Sequence, residues 1–280
     1  MVCMEVVSHY VGKVNKMGPS EEILTSFRIA GDIVPLRGGQ HTSVRVGNAV
    51  LKPVDDTRHA EWLLDVMFRI NPRGYRISKP IRSIDGTFVY KGWACTRYEQ
   101  GADKRGHIKE KLLAAKMLHR DLSHLNIRDV PHSDNPWSRG HRIAWQIDDL
   151  PTQTPQESQE LIYHLLRRVS LREEYEVQIV HGDLAGNILF DQVSGPLIID
   201  FSPTIAPVEY AEAILACDCI AWQGSKVSEL LLLPDNGTYK EMIVRAVVFR
   251  LAVSAIFSQG DRHIFLDEYQ AFKPIIEWLT

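Results

Sequence analysis

Two short apolar segments that each end in an acidic residue constrain this chain more than any other feature of its sequence. The first, residues 177–180, leads into a His-Gly-Asp triplet that ends at Asp183, and the second, residues 197–199, leads into Asp200. Asn187 lies between them, directly before a third apolar run. The 17 residues from Asp183 to Asp200 are enough for a tight loop and a hairpin. Strands paired in this way would bring the three polar side chains to one edge.

The side-chain types at this edge suit a divalent cation and a hydroxyl group. Mg²⁺ prefers carboxylate and amide oxygens, and it commonly takes substrate phosphates as further ligands. A carboxylate that is not bound to the metal can orient a hydroxyl group and accept its proton. The pattern therefore predicts a site for phosphates and a hydroxyl-bearing acceptor.

The two segments resemble the catalytic and metal-binding loops of the aminoglycoside phosphotransferase and choline kinase superfamily, small-molecule relatives of the protein kinases. In that superfamily the first loop reads His-Gly-Asp, then usually four residues and an Asn, and the second reads Ile-Asp-Phe or a near variant. This chain has His181-Gly182-Asp183 and Asp200-Phe201. The resemblance implies transfer of the γ-phosphoryl group of ATP, with Asp183 as catalytic base and with Asn187 and Asp200 as Mg²⁺ ligands.

The resemblance also implies an α+β, two-lobed protein-kinase-like fold. Residues 1–100 would form a strand-rich, nucleotide-binding lobe, and residues 101–280 a helical catalytic and substrate lobe. Asp218 lies where members often have an aspartate that hydrogen-bonds the catalytic loop.

Strands are predicted over 33–34, 44–46, 49–54, 76–84, 87–98, 177–180, 188–190 and 197–199. Helices are predicted from residue 21 and over 57–69, 107–119, 157–169, 207–223, 238–257 and 266–279, with a loop over 128–140.

The first loop departs from the superfamily pattern in length. Only three residues separate Asp183 from Asn187, one fewer than usual, so the loop must take a different path and the reach of Asn187 to the metal stays open. The compact loop followed by Ile-Asp-Phe-Ser-Pro also resembles a mainly actinobacterial branch of these kinase-like proteins.

Two other functions compete with the kinase prediction. The shortened loop favours a pseudokinase that serves as a nucleotide-binding or protein-interaction module, whereas the presence of Lys52 together with Asp183, Asn187 and Asp200 argues against it. A dinuclear phosphoesterase is disfavoured, because its further histidine ligands usually occur as Asp-x-His near the start of the chain and Gly-His-x-His near its end, and neither string occurs at those places.

A polar segment and a lysine upstream agree with the kinase pattern. Gly38, Gly39, Thr42 and Ser43 lie between two strand-like runs, where backbone N–H groups and hydroxyls can cradle phosphates. Lys52 ends the next strand, where the superfamily places its phosphate-binding lysine. All five residues are therefore predicted to bind the nucleotide.

The helix after Lys52 offers a carboxylate that could hold this lysine in place. Glu61 is the predicted partner, although its separation of nine residues from Lys52 is shorter than usual in kinases, and Asp65 is the alternative. Residues 93–101 would cross between the lobes and bind adenine through their backbone, with residues 98–100 as candidates.

Charge and composition exclude several other classes. The net charge is −3 and no long basic run occurs, so nucleic acid is not an expected partner. No apolar run approaches the roughly 20 residues that cross a bilayer, and the first residues lack the features of a signal peptide. Four scattered cysteines do not form a disulfide framework. We therefore expect a cytoplasmic protein without a membrane partner.

The sequence as a whole predicts a small-molecule kinase that uses ATP and Mg²⁺ and phosphorylates a hydroxyl of a small acceptor. ATP and GTP both stay open as donors, as does the oligomeric state, and an aminoglycoside acceptor in particular is not supported. Residues 201–280 carry six basic and ten acidic residues, which slightly favours an amine-bearing acceptor. The acidic residues concerned are Glu209, Glu212, Asp261, Asp267 and Glu268.

Overall fold

A five-stranded antiparallel sheet forms much of the N-terminal part of the protein. The computed structural model describes residues 18–36, 42–169 and 175–279. The sheet follows a short helix, α1 (Glu21–Ser26), and a longer helix, α2 (Thr57–Arg69), lies between its third and fourth strands in the chain. Its strands, in spatial order, are β1 (Ile33–Pro35), β2 (Val44–Val46), β3 (Ala49–Pro53), β6 (Trp93–Arg97) and β5 (Val89–Tyr90).

Strand β3 divides its side chains between the two faces of this sheet. Ala49 and Leu51 are buried in a small cluster with Ile23 and Phe27 from the α1 region. Because successive side chains of a strand point to opposite faces, Lys52 lies on the other face, and it is exposed. The packing of α1 thus fixes the face of the sheet from which Lys52 projects.

A second sheet joins residues from both predicted lobes. Its strands, in spatial order, are β4 (Arg76–Ile77), β10 (Leu197–Ile198), β9 (Ile188–Phe190) and β7 (Ala102–Asp103). The β4–β10 pair is parallel and the other two pairs are antiparallel. A separate antiparallel pair consists of β8 (Gln178–His181) and β11 (Pro203–Ala206). The lobe boundary near residue 100 stays a prediction.

Helices dominate the rest of the described chain. They are α3 (Ile108–Ser123), α4 (Pro136–Ala144), α5 (Gln156–Leu166), α6 (Val208–Gln223), a 3₁₀ helix (Val227–Leu232), α7 (Gly237–Ser258) and α8 (Arg262–Trp278). The longest, α7, is buried on nearly all sides and packs against α4, α5, α6 and α8. A helix that is buried on all sides belongs inside a core, so α7 is the centre of the helical part. No helix within the described residues is both long and apolar enough to cross a membrane.

Local capping and turn signals explain elements that the sequence predicts correctly. Helix α2 covers the predicted residues 57–69, and the Asp56 carboxylate caps it by accepting the N–H of His59 at 3.0 Å. The β2–β3 hairpin turns at Gly47, whose φ of +56° lies in the left-handed region that glycine favours.

The predicted loop over 128–140 is wrong at its C-terminal end, where helix α4 begins. The Asn135 side chain accepts the N–H of Ser138 at 2.8 Å, and Pro136 occupies the first turn. Asn followed by Pro is therefore a helix start here, since the proline has no N–H to leave unpaired.

Two strand predictions also differ from the structure, and two strands are not predicted. Of residues 76–84, only β4 is a strand, because Pro80 cannot donate to a ladder and forms just an isolated bridge with Thr96. The predicted strand over 87–98 is the β5–β6 hairpin, because Lys91 and Gly92 both have positive φ and turn the chain. Strand β7 is missed because it has only two residues, both exposed, and strand β11 is missed because prolines mark both of its ends.

Gly140 permits the close approach of α4 to α7. A Cβ atom at this position would lie 2.5 Å from Cγ2 of Val253 and 3.2 Å from the carbonyl oxygen of Phe249. We expect Gly140→Ala to lower the free energy of unfolding by about 1–3 kcal/mol, because backbone cannot move away as a side chain can. Urea denaturation measures the loss. Gly186→Ala is the control, since a Cβ there meets nothing within 4 Å; equal stability of both variants would contradict the packing argument.

Candidate active site

The β9–β10 hairpin brings the predicted polar residues to one end of the second sheet. The N–H of Ile199 donates to the carbonyl of Asn187 at 3.0 Å, so the residues flanking the two strands are paired. The N–H of Gly182 donates to the carbonyl of Ser202 at 2.8 Å, which ties the first loop to the residues after Asp200. The two motifs that are separate in sequence therefore form one structural unit.

Lys52 and Asp200 form an ion pair that connects the first sheet to this unit. Nζ of Lys52 donates to Oδ1 of Asp200 at 2.7 Å, although the residues are 148 positions apart. The two side chains are 46% and 49% exposed, so both remain accessible to a charged ligand. The pair joins a strand-end lysine to the carboxylate that ends the second motif.

The backbone of Asp200 is in the left-handed region, with φ of +50°. Few residues other than glycine adopt this conformation, and aspartate is among those that tolerate it. Such a conformation persists where the surrounding structure fixes it, and these positions cluster at functional sites. The conformation sets the direction in which the carboxylate leaves the end of β10.

The short loop folds Asn187 back onto Asp183. Nδ2 of Asn187 donates to the backbone carbonyl of Asp183 at 2.7 Å and lies 3.3 Å from its Oδ2. The N–H of Asn187 also donates to the carbonyl of Leu184 at 3.0 Å, which closes the loop as a turn. In the described part of the chain, no hydrogen bond engages the amide oxygen of Asn187. That oxygen can therefore accept a cation.

A buried arginine contacts the same aspartate from the helical part. Nη2 of Arg250, on α7, lies 2.7 Å from Oδ1 of Asp183. Nε and Nη2 of Arg250 also donate to the two carboxylate oxygens of Asp218 on α6. Asp218 is thus connected, through Arg250, to the loop that carries Asp183. Burial raises the pKa of Asp218 to about 6, although the attraction of Arg250 opposes this effect.

His181 has a structural role within the loop. Its ring Nδ1 accepts the backbone N–H of Asp183 at 3.1 Å. The backbone N–H of His181 donates to Nε2 of His119 at 3.2 Å. Complete burial lowers the pKa of His181 and lowers that of His119 to about 3. Both imidazoles are therefore neutral near pH 7, and they hold the loop without supplying charge.

The predicted phosphate cradle is only partly described. Gly38 and Gly39 lie outside the described residues. Thr42 and Ser43 directly precede β2, and the carbonyl of Ser43 accepts the N–H of Leu36 at 3.1 Å. The structure thus places Thr42 and Ser43 at the end of the β1–β2 hairpin.

The predicted pair between Lys52 and Glu61 is wrong. Glu61 accepts the backbone N–H groups of Phe88 and Val89, at 3.1 and 2.7 Å, and so anchors α2 to the start of β5. Asp65, the alternative partner, lies 3.9 Å from Arg69 and 3.6 Å from Arg82. Both carboxylates of α2 therefore have partners other than Lys52, whose Nζ pairs with Asp200 instead.

The segment predicted to bind adenine connects the two sheets. The N–H of Tyr98 donates to the carbonyl of Asn48 at 2.9 Å. Arg76 pairs with Glu99 at 3.0 Å and donates to the carbonyl of Gln100 at 3.1 Å. Arg76 thus holds the crossing between β6 and β7 in place.

The acidic excess of residues 201–280 does not form one surface. Glu212 is buried and accepts the hydroxyl of Tyr239 at 2.7 Å. Glu268 is also buried, and Asp261 caps α8 by accepting the N–H of His263. Because three of the five residues have these structural roles, the excess no longer argues for an amine-bearing acceptor.

Solved structures identify the fold to which this arrangement belongs. No family model and no curated protein matches the sequence. Choline kinase LicA from Streptococcus pneumoniae is similar with a TM-score of 0.62 and 10% identity, over 92% of this chain and 97% of that chain. A thermostable mutant of aminoglycoside phosphotransferase APH(4)-Ia, in a ternary complex with AMP-PNP and hygromycin B, has a TM-score of 0.59 and 12% identity, over 91% and 97%.

The AMP-bound complex of spectinomycin phosphotransferase APH(9)-Ia is similar with a TM-score of 0.57 and 12% identity, over 92% of this chain and 93% of that chain. The chain has the fold of the aminoglycoside phosphotransferase and choline kinase superfamily. The predicted α+β, protein-kinase-like fold is therefore confirmed.

Arg250 is the residue of this site that the sequence analysis misses. A signal for it is present in the sequence, because Arg245 and Arg250 are the only charged residues in the otherwise apolar run from Met242 to Val253. A charge inside a buried helix must be paired. The pattern cannot name the partner, however, since the partner lies on another helix.

Glu268 is a buried carboxyl that the charges of Arg250 and Asp218 influence, and it makes the stability of the protein depend on pH. Its Oε1 has no hydrogen-bond partner in the described chain. Burial outweighs the attraction of Arg250 and raises the pKa of Glu268 to about 7, from an ordinary value of 4.5. As pH rises through this window, the unfolded state loses its proton first, so the folded state becomes less stable.

We expect Glu268→Gln to gain stability relative to the wild type as pH rises from 4 to 8. The change in the difference between their free energies of unfolding should be on the order of 3 kcal/mol, because the variant has no proton to retain at this position. Urea denaturation of both proteins at pH 4, 6 and 8 measures it. A difference that stays constant over this range would show that the pKa of Glu268 is the same in the folded and unfolded states and would contradict the prediction.

Proposed function

We propose that this chain transfers the γ-phosphoryl group of ATP to a hydroxyl of a small molecule, with Mg²⁺ as the metal. The ion pair of Lys52 with Asp200, at 2.7 Å and half exposed, carries the proposal. It joins a cation suited to phosphates and a carboxylate suited to a metal, within a fold shared with small-molecule kinases. The two charges compensate each other across the 2.7 Å contact.

The donor set fits a Mg²⁺ ion that is shared with a nucleotide. Asp200 offers an accessible carboxylate and Asn187 an amide oxygen, which are the hard ligands that Mg²⁺ prefers. No group of three or more His, Cys, Asp or Glu among the described residues could hold a metal alone. Two protein oxygens completed by phosphates and water match the usual coordination of Mg²⁺. When bound, the ion supplies positive charge to the phosphates.

The chain's own residues would hold the nucleotide from the first sheet. Lys52 would leave Asp200 and bind the α- and β-phosphates as a point charge. Thr42 and Ser43, with Gly38 and Gly39 before them, would contact phosphates through hydroxyl and backbone N–H groups. Residues 98–100, held by Arg76, would lie beside the adenine.

Asp183 would act on the acceptor. Its carboxylate would accept a hydrogen bond from the acceptor hydroxyl and direct the oxygen towards the γ-phosphorus. As the new O–P bond forms, the bond from the γ-phosphorus to the β-phosphate oxygen breaks and ADP leaves. The hydroxyl proton passes to Asp183.

The similar structures support both the donor and the acceptor class. They include complexes with AMP, with AMP-PNP and hygromycin B, and with ADP and spectinomycin. Amicoumacin kinase hAmiN, with a TM-score of 0.50, holds AMP-PNP and Ca²⁺. An adenine nucleotide with a divalent cation, and a small acceptor, are therefore the first ligands to test here.

Nucleotide binding should depend on both members of the Lys52–Asp200 pair. We expect Mg²⁺-ATP at 100 times its dissociation constant to stabilise the wild type by about 2.7 kcal/mol in a thermal-shift titration. Asp200→Asn should remove the gain that Mg²⁺ adds, and Lys52→Met should weaken binding with or without the metal.

Lys91→Met is the matched control for Lys52→Met. Lys91 forms an exposed pair with Glu22 at 2.5 Å at the edge of the same sheet. This variant should bind Mg²⁺-ATP as the wild type does. If neither ATP nor GTP shifts the wild type under any condition, the proposed nucleotide site does not exist.

Phosphoryl transfer should depend on Asp183 more strongly than nucleotide binding does. We expect Asp183→Asn to lower kcat by about 10²–10⁴-fold, because the amide cannot accept the proton, while the Mg²⁺-ATP thermal shift remains. ADP release with choline, spectinomycin, hygromycin B and water as acceptors measures turnover. Nucleotide binding by a wild type that transfers to none of them would favour the pseudokinase alternative.

A further inference from the structure

We propose that Arg250 is a positioning residue for Asp183, holding Oδ1 so that Oδ2 is left to receive the acceptor hydroxyl. The inference rests on the proposed function, because it concerns the base of that reaction. Its foundation is the single guanidinium that bridges Asp183 in the catalytic loop and Asp218 on α6.

The guanidinium itself is immobilised before it meets Asp183. Its side chain is 4% exposed, and Nε and Nη2 engage both oxygens of Asp218, whose side chain is fully buried. The rings of Trp222 and Phe249 lie 4.9 and 4.6 Å from its central carbon. A planar group held by a bidentate carboxylate and by two rings has a fixed orientation. The contact with Asp183 therefore comes from a rigid donor.

Helix α7 offers Arg250 no partner of its own. The residues one turn away, Ala246 and Ser254, carry no charge. Arg245 on the same helix shows the contrast, because it is equally buried and pairs with Glu241 one turn before it. A buried arginine of α7 can thus be neutralised within its own helix. Arg250 instead donates its hydrogen bonds to α6 and to the catalytic loop.

The contact leaves one side of the Asp183 carboxylate accessible. The side chain is 42% exposed. Oδ1 lies 2.7 Å from Nη2 of Arg250, whereas Oδ2 has only the Nδ2 group of Asn187 at 3.3 Å. Arg250 and Asn187 together restrict the rotation of the carboxylate. A misplacement of such a group by about 1 Å can cost about 100-fold in rate, so the restraint matters for transfer.

The test compares Arg250→Met and Arg250→Lys with Arg245→Met and Arg245→Lys. Mg²⁺-dependent ATP hydrolysis is the probe, with water as the acceptor, at a temperature where every variant is folded by circular dichroism. We expect Arg250→Met to lower kcat about 100-fold without changing KM for ATP. Arg250→Lys should recover part of the loss, because an ammonium can reach one carboxylate but cannot bridge two. The Arg245 variants should lose stability and keep kcat.

Should Arg250→Met fail to fold, Asp218→Asn provides a second measurement. This change keeps the volume and removes the charge that anchors the guanidinium, so kcat should fall while KM for ATP is unchanged. Equal kcat in the Arg250 and Arg245 variants would overturn the inference and leave Arg250 a purely structural residue. The proposed function fails in a different way, since wild-type protein would then hydrolyse no ATP above the Asp183→Asn background.

The contact between Arg250 and Asp183 can also be tested through the free energy of unfolding, independently of turnover. Urea denaturation of Arg250→Lys, Asp183→Asn and the double variant forms a double-mutant cycle. We expect non-additive changes in the free energy of unfolding, with the double variant losing less than the two single variants together. Additive changes would show that the two side chains do not interact and would contradict the proposal.

Discussion

The pairing of β9 with β10 is the constraint on which the whole site depends. It places Ile188 opposite Ile198, so Asn187 and Asp200 leave the hairpin at the same end. A slip by one residue would turn every side chain of one strand to the other face. Ile188 and Ile198 are fully buried in the core, whereas the next residue of β9, Leu189, is only partly buried, so burial favours this register. The energy that holds the polar site in place therefore comes from apolar residues beside it.

Helix α7 carries two buried arginines, and different carboxylates compensate their charges. Arg245 and Glu241 compensate each other within α7, whereas Arg250 is compensated by Asp218 and by the partly exposed Asp183. Removing one partner of such a pair leaves an uncompensated charge in the core, which is costly. The loop that carries Asp183 is thereby tied to the helix at the centre of the helical part. Rigid support of this kind is what a group that orients a substrate requires.

The sequence predicts those features that are local in the chain. The α2 helix with its Asp56 cap, the β2–β3 turn at Gly47 and the two polar motifs can all be inferred from neighbouring residues. Features that depend on distant contacts could not be inferred. The partner of Glu61 is the backbone at the start of β5, and the partners of Arg250 lie on α6 and in the loop that carries Asp183. Spacing along a chain does not encode such partners, because helix packing determines them.

In the proposed function, the Lys52–Asp200 pair opens to bind a metal–nucleotide complex. A crystal structure of the protein with AMP-PNP and Mg²⁺ would show this opening. We expect Nζ of Lys52 to leave Oδ1 of Asp200, now 2.7 Å away, and to contact phosphate oxygens, while the Asp200 carboxylate coordinates the metal. A nucleotide bound elsewhere on the protein, with the ion pair intact, would refute the proposal.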